Sequence, residues 1–143
     1  MPLLNWDDRL LVGVEPMDQT HREFVELLGE IDRAAPADAI AALDRLIDHT
    51  VLHFRQEEEW MAESGWGPPC HAAEHQNVLE IVRTVRTRAL GGQMELVGVL
   101  VNELGPWFEH HASTMDSALV AHMANAGYEP KALIAPEPGT LAA

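Results

Sequence analysis

Several of the eight histidines in this chain recur with carboxylates, or with one another, at spacings that suit metal binding. The eight are His21, His49, His53, His71, His75, His110, His111 and His122. His53 precedes Glu57 by four residues, and His71 precedes His75 by four as well. Side chains four residues apart lie on one face of a helix, so each pair can contact a common centre. Imidazole and carboxylate groups without thiolate are ligands of iron, zinc, copper or nickel.

Each pair taken alone has a simpler interpretation. A single His-x-x-x-His pair is most often a surface coincidence. A glutamate run is usually a solvated face, and we keep that interpretation for Glu58 and Glu59. The joint pattern is harder to ascribe to chance, because "DQTH" adds His21 and "HHASTMD" adds His111 with Asp116. Four separate segments therefore offer side chains of the type that binds metals.

These side chains need helices to bring them together, and helical periodicity is widespread in the chain. The predicted helices run from about 18 to 34, 38 to 65, 70 to 90 and 93 to 126, after an irregular arm (1–16) anchored by Trp6. Asp18 is the expected N-cap of the first helix. Gly105-Pro106 predicts a kink or break in the fourth, since proline removes a backbone donor. Four amphipathic helices with short connections predict an all-α, up-down-up-down four-helix bundle.

The predicted domain organisation is simple. Residues 1–128 form the four-helix domain, and residues 129–143 form a loose, proline-rich tail. The chain has 143 residues, of which 47% are apolar, which is enough for one domain with a hydrophobic core.

Composition excludes several classes of function. The formal charge of -14 argues against binding to nucleic acid or to an anionic membrane surface. Cys70 is the single cysteine, so neither an internal disulfide nor a cysteine-based metal site can form. The start of the sequence lacks the pattern of a signal peptide, and no apolar run is long enough to span a membrane. We therefore expect a cytoplasmic protein, and a monomer.

The predicted bundle core would contain five imidazoles and two carboxylates, and so many ionisable groups need compensation when they are buried. Divalent cations would provide it. Seven ligands exceed the four of a tetrahedral zinc site, but they fit two metals bridged by carboxylates. The other common dimetal bundle uses Glu-x-x-His motifs, and no glutamate in this chain has a histidine three residues later.

The sequence resembles the hemerythrin family, in particular its single-domain bacterial members. The motifs "DQTH", "HFRQEE", "HAAEH" and "WFEHHASTMD" carry the resemblance over residues 18–116. The resemblance implies two iron ions with a bridging oxo or hydroxo group, and O2 as the ligand of the second iron. The metal ligands that it implies are His71, His75 and His111 for one iron, His21 and His53 for the other, and Glu57 and Asp116 as bridges.

Only one of the adjacent residues His110 and His111 can be a metal ligand. Adjacent helical residues diverge by about 100°, so at most one of them can point at the metals. Trp107 precedes His111 by four residues and should share its inward face. Asp116 follows His111 by five, a rotation of roughly 140° beyond a full turn. That offset suits a terminal ligand and a bridge on a two-metal site, so His111 is the predicted ligand.

Three hypotheses for the function follow. The first is a non-haem di-iron protein that binds O2 reversibly for storage, delivery or sensing, with no catalytic role. The second is a di-iron enzyme that acts on O2, peroxide or nitric oxide. The third is a structural metal protein that holds zinc or no metal. If the protein is a sensor, its output must pass to a partner protein that the sequence does not identify.

Overall fold

The computed structural model describes residues 4–133, and within them it is an all-α bundle without strands, as the sequence predicts. The helices are α1 (Glu15–Arg33), α2 (Ala39–Ser64), α3 (Pro69–Leu90), α4 (Glu95–His111) and α5 (Ser117–Ala126). A π-helical turn, Ala112–Asp116, joins α4 to α5, and short 3-10 turns occupy Asp8–Leu10 and Pro36–Asp38. Together α4, the π turn and α5 make the fourth helical rod. None of the helices within residues 4–133 is long and apolar enough to cross a lipid bilayer.

The first helix begins earlier than the sequence predicts, and Asp18 is not its N-cap. Val14 is the N-cap and Pro16 lies in the first turn, where its missing N–H costs no hydrogen bond. The buried Asp18 carboxylate instead accepts hydrogen bonds from the backbone N–H groups of Val12 (2.8 Å) and Gly13 (3.2 Å). Asp18 thus fixes the entry of the N-terminal arm onto the bundle.

The connections between helices follow the glycine and proline positions. Gly65 ends α2 in a left-handed conformation, with φ of 78°, which a residue with a side chain rarely adopts. Pro69 lies in the first turn of α3. The short linkers make sequential helices neighbours in the bundle, and α1 also packs against α4.

Of the kink or break expected at Gly105-Pro106, the break is absent, because α4 runs unbroken from Glu95 to His111. Pro106 is exposed, so water can satisfy the carbonyl that loses its helical donor. The glycine at position 105 is explained by packing and not by a break. A Cβ there would lie 3.3 Å from the Cβ of Leu4, so the missing side chain lets the N-terminal arm pack close to α4. The irregularity of the fourth rod comes later, in the π turn.

Two apolar clusters fill the bundle. The larger lies around α1 to α4 and contains the predicted apolar stripe of α1, namely Phe24, Leu27, Leu28 and Ile31. The smaller consists of Met17, Trp60, Met61, Leu119 and Met123. Along α1, α2 and the fourth rod, the predicted metal ligands lie between members of these two clusters. The ligands are therefore enclosed by hydrocarbon on both sides along the bundle axis.

The start of the predicted tail is not loose. The Trp60 indole N–H donates to the carbonyl of Lys131 (3.1 Å), and the backbone N–H of Leu133 donates to the Gln56 side chain (2.9 Å). The hydroxyl of Tyr128 donates to Glu63. The segment up to Leu133 therefore lies along α2, and the rest of the predicted tail, 134–143, lies outside the described residues.

Candidate metal centre

All seven predicted ligands converge in one buried cluster in the middle of the bundle. Each is at most 2% exposed. The ligand atoms of Glu57, His71, His75, His111 and Asp116 lie within 4.8 Å of one another, and so do those of His21, His53 and Glu57. Glu57 is common to both groups, so the two groups form one continuous cluster.

The two oxygens of Glu57 face different histidines. Its Oε2 lies 2.9 Å from Nε2 of His53 and 3.3 Å from Nε2 of His21. Its Oε1 lies 3.2 Å from Nε2 of His75 and 3.4 Å from Nε2 of His71. A carboxylate with one oxygen toward each of two imidazole groups has the arrangement of a bridge between two cations.

Asp116 divides its oxygens in the same way. Its Oδ2 lies 3.2 Å from Nε2 of His21, while its Oδ1 lies 3.1 Å from Nε2 of His71 and 3.3 Å from Nε2 of His111. We call His71, His75 and His111 with the two oxygens that face them the three-histidine side. His21 and His53 with the other two oxygens form the two-histidine side.

The π turn explains how Asp116 reaches a centre that His111 also faces, although they are five residues apart. The backbone N–H of Ser117 donates to the carbonyl of Ala112, five residues earlier, which widens the helix by one residue. Hydroxyl groups support this widening, since Thr114 donates to the carbonyl of His110 (2.6 Å). The Ser117 hydroxyl likewise donates to the Ala112 carbonyl (3.0 Å). The "ASTMD" sequence therefore rotates Asp116 onto the face of His111.

Outer carboxylates fix the orientation of two rings on the three-histidine side. Nδ1 of His75 lies 2.8 Å from Glu58, and Nδ1 of His111 lies 2.8 Å from Glu74. A carboxylate only accepts, so each Nδ1 carries the proton and each neutral ring presents a lone pair at Nε2. The two Nε2 atoms lie 3.3 Å apart. Two lone pairs at that distance repel unless a cation lies against them or one ring takes a proton.

The contact of Glu58 corrects the prediction that this residue only faces water. Its side chain is 36% exposed, but its Oε2 accepts from a fully buried imidazole of α3. Glu59 remains exposed, as predicted. The sequence did not predict Glu74 as part of the site. Glu74 directly precedes His75 in "HAAEH", so it lies on a helix from which its side chain could reach α4.

Several buried polar atoms at the centre lack a hydrogen-bond partner within the part of the chain that the structure describes. They are Oε1 of Glu57, Nε2 of His71, and both carboxylate oxygens of Asp116. Buried polar atoms without a partner are costly, and these atoms all face the centre of the cluster. Donors of this kind, nitrogen and oxygen with no sulfur, fit two divalent or trivalent iron ions.

The pKa values show the same need for positive charge. Burial favours neutral imidazoles, but the adjacent Asp116 and Glu57 carboxylates favour the protonated rings, outweigh burial and raise the pKa of His21 and His71 to about 9. Burial lowers the pKa of His53 to about 4, although Glu57 lies beside it. The surrounding imidazoles hold the pKa of both carboxylates below the usual range despite burial. Without metal, protons on histidine supply the positive charge that the two anions need.

Aromatic rings enclose both sides. Phe108 contacts the His21 ring edge-on at 5.0 Å and stacks on Phe24 at 5.1 Å. On the other side Phe54 stacks on His75 at 3.8 Å, and Trp107 stacks on His111 at 4.7 Å. These rings leave the metal-facing nitrogens in an apolar enclosure and hold the imidazole planes in place.

The remaining histidines do not join the cluster. His110 is exposed while His111 is 2% exposed, which agrees with the register expected of the fourth rod. His122 contacts the carbonyl of Ser64 at 3.0 Å. His49 is buried and contacts the buried Glu23, a pair that the sequence reasoning missed because 26 residues separate the two.

Comparison with known proteins agrees with this geometry. A family model described as the hemerythrin HHE cation binding domain matches residues 12–123. The chain belongs to the hemerythrin family. The resemblance expected from the four motifs is thereby confirmed, and the matched hemerythrin segment contains the whole cluster.

Individual hemerythrin relatives match along most of their length. A bacteriohemerythrin of Ralstonia nicotianae is 40% identical over 128 residues, which cover 89% of this chain and 93% of the relative. A bacteriohemerythrin of Stenotrophomonas maltophilia is 33% identical over 124 residues, covering 82% and 80%. A myohemerythrin of Sipunculus nudus is 28% identical over 112 residues, covering 78% and 86%. The similarity therefore extends over nearly the whole domain.

Proposed function

We propose that this hemerythrin binds O2 reversibly at a di-iron centre and serves in O2 storage, delivery or sensing. The three-histidine side would hold one iron and the two-histidine side the other, with Glu57 and Asp116 as bridges and an oxo or hydroxo group between the metals. The observation that carries the proposal is the division of both carboxylates, each with one oxygen toward each side.

The ligand count supports a position for O2 on the two-histidine side. The three-histidine side offers three nitrogens and two oxygens, whereas the two-histidine side offers two nitrogens and two oxygens. The iron on the two-histidine side would therefore have one fewer ligand from the protein, and that position is the one available to O2. The reduced iron pair, when bound, supplies the two electrons that O2 takes up.

The chain's own residues protect that position. Phe24 and Phe108 stack on each other and contact the rings of the two-histidine side. Their apolar surfaces exclude water, and without water and protons bound O2 leaves as O2 instead of oxidising the site. An aromatic enclosure of this kind favours reversible binding.

Burial also favours a binding protein over an enzyme. The ligand side chains are all buried, which leaves little room at the centre for a larger substrate. The acidic composition fits neither nucleic acid nor an anionic membrane surface as a partner. We propose a cytoplasmic location, since the exposed, unpaired Cys70 suits a reducing compartment. We also propose that the protein is a monomer.

The test is a cycle of anaerobic reduction, exposure to air and removal of O2, with visible spectra recorded at each stage. We expect a charge-transfer band that rises with O2, disappears when O2 is removed and returns over repeated cycles. A single irreversible oxidation would contradict reversible binding. Sustained turnover of peroxide or nitric oxide with added reductant would favour the enzyme hypothesis instead.

A further inference from the structure

A buried polar pair links α1 to α2 beside the two-histidine side and has no place in the ligand set. Nε2 of His49 lies 2.9 Å from Oε1 of Glu23, and the two residues are 3% and 0% exposed. The amide of Gln19 donates to the other oxygen of Glu23 at 2.6 Å. Burying a carboxylate and an imidazole is costly, and apolar residues of the same volume often give equal or greater stability. The pair therefore needs an explanation other than stability.

The location of the pair supplies that explanation. His49 lies one turn before His53 on α2, and the two rings meet edge-on with centroids 5.7 Å apart. Glu23 lies two residues after His21 on α1. The bond between Glu23 and His49 thus joins the two helices that carry the two imidazoles of this side, within about one helical turn of both.

Among the described residues, the two-histidine side lacks outer carboxylates of the kind that orient two of the three rings on the other side, His75 and His111; the third ring there, His71, has no partner at Nδ1 either. Nδ1 of His21 and Nδ1 of His53 have no hydrogen-bond partner within residues 4–133. A metal-binding histidine ordinarily donates its second N–H to an outer group, which holds the ring in position. Here the angle between the two rings depends on the phenylalanines beside them and on how α1 and α2 sit against each other, and the buried pair contributes to that second relation.

We propose that Glu23 and His49 are positioning residues for the two-histidine side, an inference that rests on the proposed function. By locking α1 to α2 they hold His21 and His53 at the separation that one iron requires. Losing the lock weakens the hold on that iron and leaves the three-histidine side unchanged.

The test uses a variant that removes the pair and keeps the core filled, Glu23→Leu with His49→Phe. The iron-loaded protein is mixed anaerobically with a strong chelator, and iron release is followed together with unfolding in denaturant. A His53→Ala variant identifies the kinetic phase that belongs to the two-histidine side, because that phase is absent from it. His49→Gln, which retains an N–H donor for Glu23, serves as the conservative variant.

The matched control removes a surface link between the same two helices. Arg45 of α2 bonds to Glu30 of α1 at 3.1 Å, with the arginine side chain 56% exposed. Glu30→Gln removes this ion pair without touching the core. We expect it to leave both phases of iron release unchanged.

The expected result is release from the two-histidine side about tenfold faster in the Leu/Phe variant, in the range usual for lost outer contacts. Release from the three-histidine side should be unchanged. The unfolding midpoint of the metal-free protein should be unchanged or higher, and His49→Gln should behave close to the wild type. Unaltered release, or equal acceleration of both phases, would overturn the inference. A wild-type chain that holds fewer than two irons would defeat the proposed function, and the inference with it.

Discussion

The three-histidine side and the two-histidine side use the same kinds of ligand but are supported in different ways. On the first, Glu58 and Glu74 accept hydrogen bonds from Nδ1 of His75 and His111, while Nδ1 of His71 lacks a partner in the described part of the chain. On the second, the outer nitrogens of both imidazoles lack a partner among the residues described, and phenylalanine rings surround them.

This difference separates two tasks that one centre has to perform. An outer carboxylate makes an imidazole a stronger ligand and keeps it in one tautomer, which favours permanent retention of a metal. An apolar surround without such contacts leaves a weaker ligand field and a dry space for a small molecule. Under the proposed function, metal retention would fall mainly to the three-histidine side and O2 binding to the two-histidine side.

The largest effect is expected where the two sides share a ligand. Glu57→Gln replaces the proposed anionic bridge with a neutral amide that has only one oxygen, so the side chain can no longer bridge two irons and the site loses one negative charge. We expect most of the iron to be lost, as measured by metal analysis of the purified variant. Glu59→Gln, at an exposed position two residues later, is the control. Equal iron content and equal O2 spectra in the two variants would rule out the bridge.

Next comes a change confined to one side. His111→Ala should lose iron from the three-histidine side, because a buried Nε2 that faces Asp116 is removed. His110→Ala should keep both irons and the O2-dependent spectrum, since His110 is exposed. Metal analysis and visible spectra compare the two. If His110→Ala empties the site and His111→Ala does not, the register of the fourth rod is mistaken.

A smaller effect should follow from loss of the outer carboxylates. Glu58→Gln and Glu74→Gln each weaken a charge-assisted contact to an imidazole while leaving all the metal ligands in place. We expect release from the three-histidine side to become about tenfold faster, with the two-histidine side unaffected. Chelator kinetics measure this, with Glu80→Gln on the exposed face of α3 as the control. If these variants instead released iron faster only from the two-histidine side, the roles given to the two sides would be reversed.

The smallest effect concerns pH and needs no mutation. In the metal-free protein the pKa of His21 and His71 is raised to about 9, above the value of about 6.5 in the unfolded chain. Their contribution to stability is therefore complete below about pH 6.5 and is lost as pH rises through about 9. Iron keeps both rings neutral, so the loaded protein should lack this alkaline loss and should instead lose metal in acid.

Unfolding in denaturant at pH 7 and at pH 9, with and without iron, checks this prediction. The metal-free chain should become less stable between the two values, and the loaded chain should not. An identical dependence on pH in both forms would show that the imidazoles do not exchange protons for metal.

The sequence predicted what depends on local spacing. A separation of four residues puts His53 beside Glu57, and the structure finds their atoms 2.9 Å apart. The bundle followed from helical periodicity and from glycine and proline at the connections. The start of α1 was missed because Pro16 suits a first turn, a preference that outweighed the capping propensity of Asp18.

Features that depend on contacts between distant segments could not be predicted. Glu58 reaches a ring 17 residues away, and Glu74 reaches one 37 residues away. Neither distance leaves a periodic signal in the sequence. The π turn before Asp116 is another case, since hydroxyl residues at a helix position are more often surface residues than the cause of a widened turn.

The most direct measurement is an anomalous scattering map, recorded at the iron absorption edge, from crystals of the iron-loaded protein. Two peaks per chain are predicted, one at bonding distance from Nε2 of His71, His75 and His111, the other at bonding distance from Nε2 of His21 and His53. Glu57 and Asp116 should each contribute one oxygen to each peak. A single peak, or two peaks that do not share these carboxylates, would contradict the division of the centre into two sides.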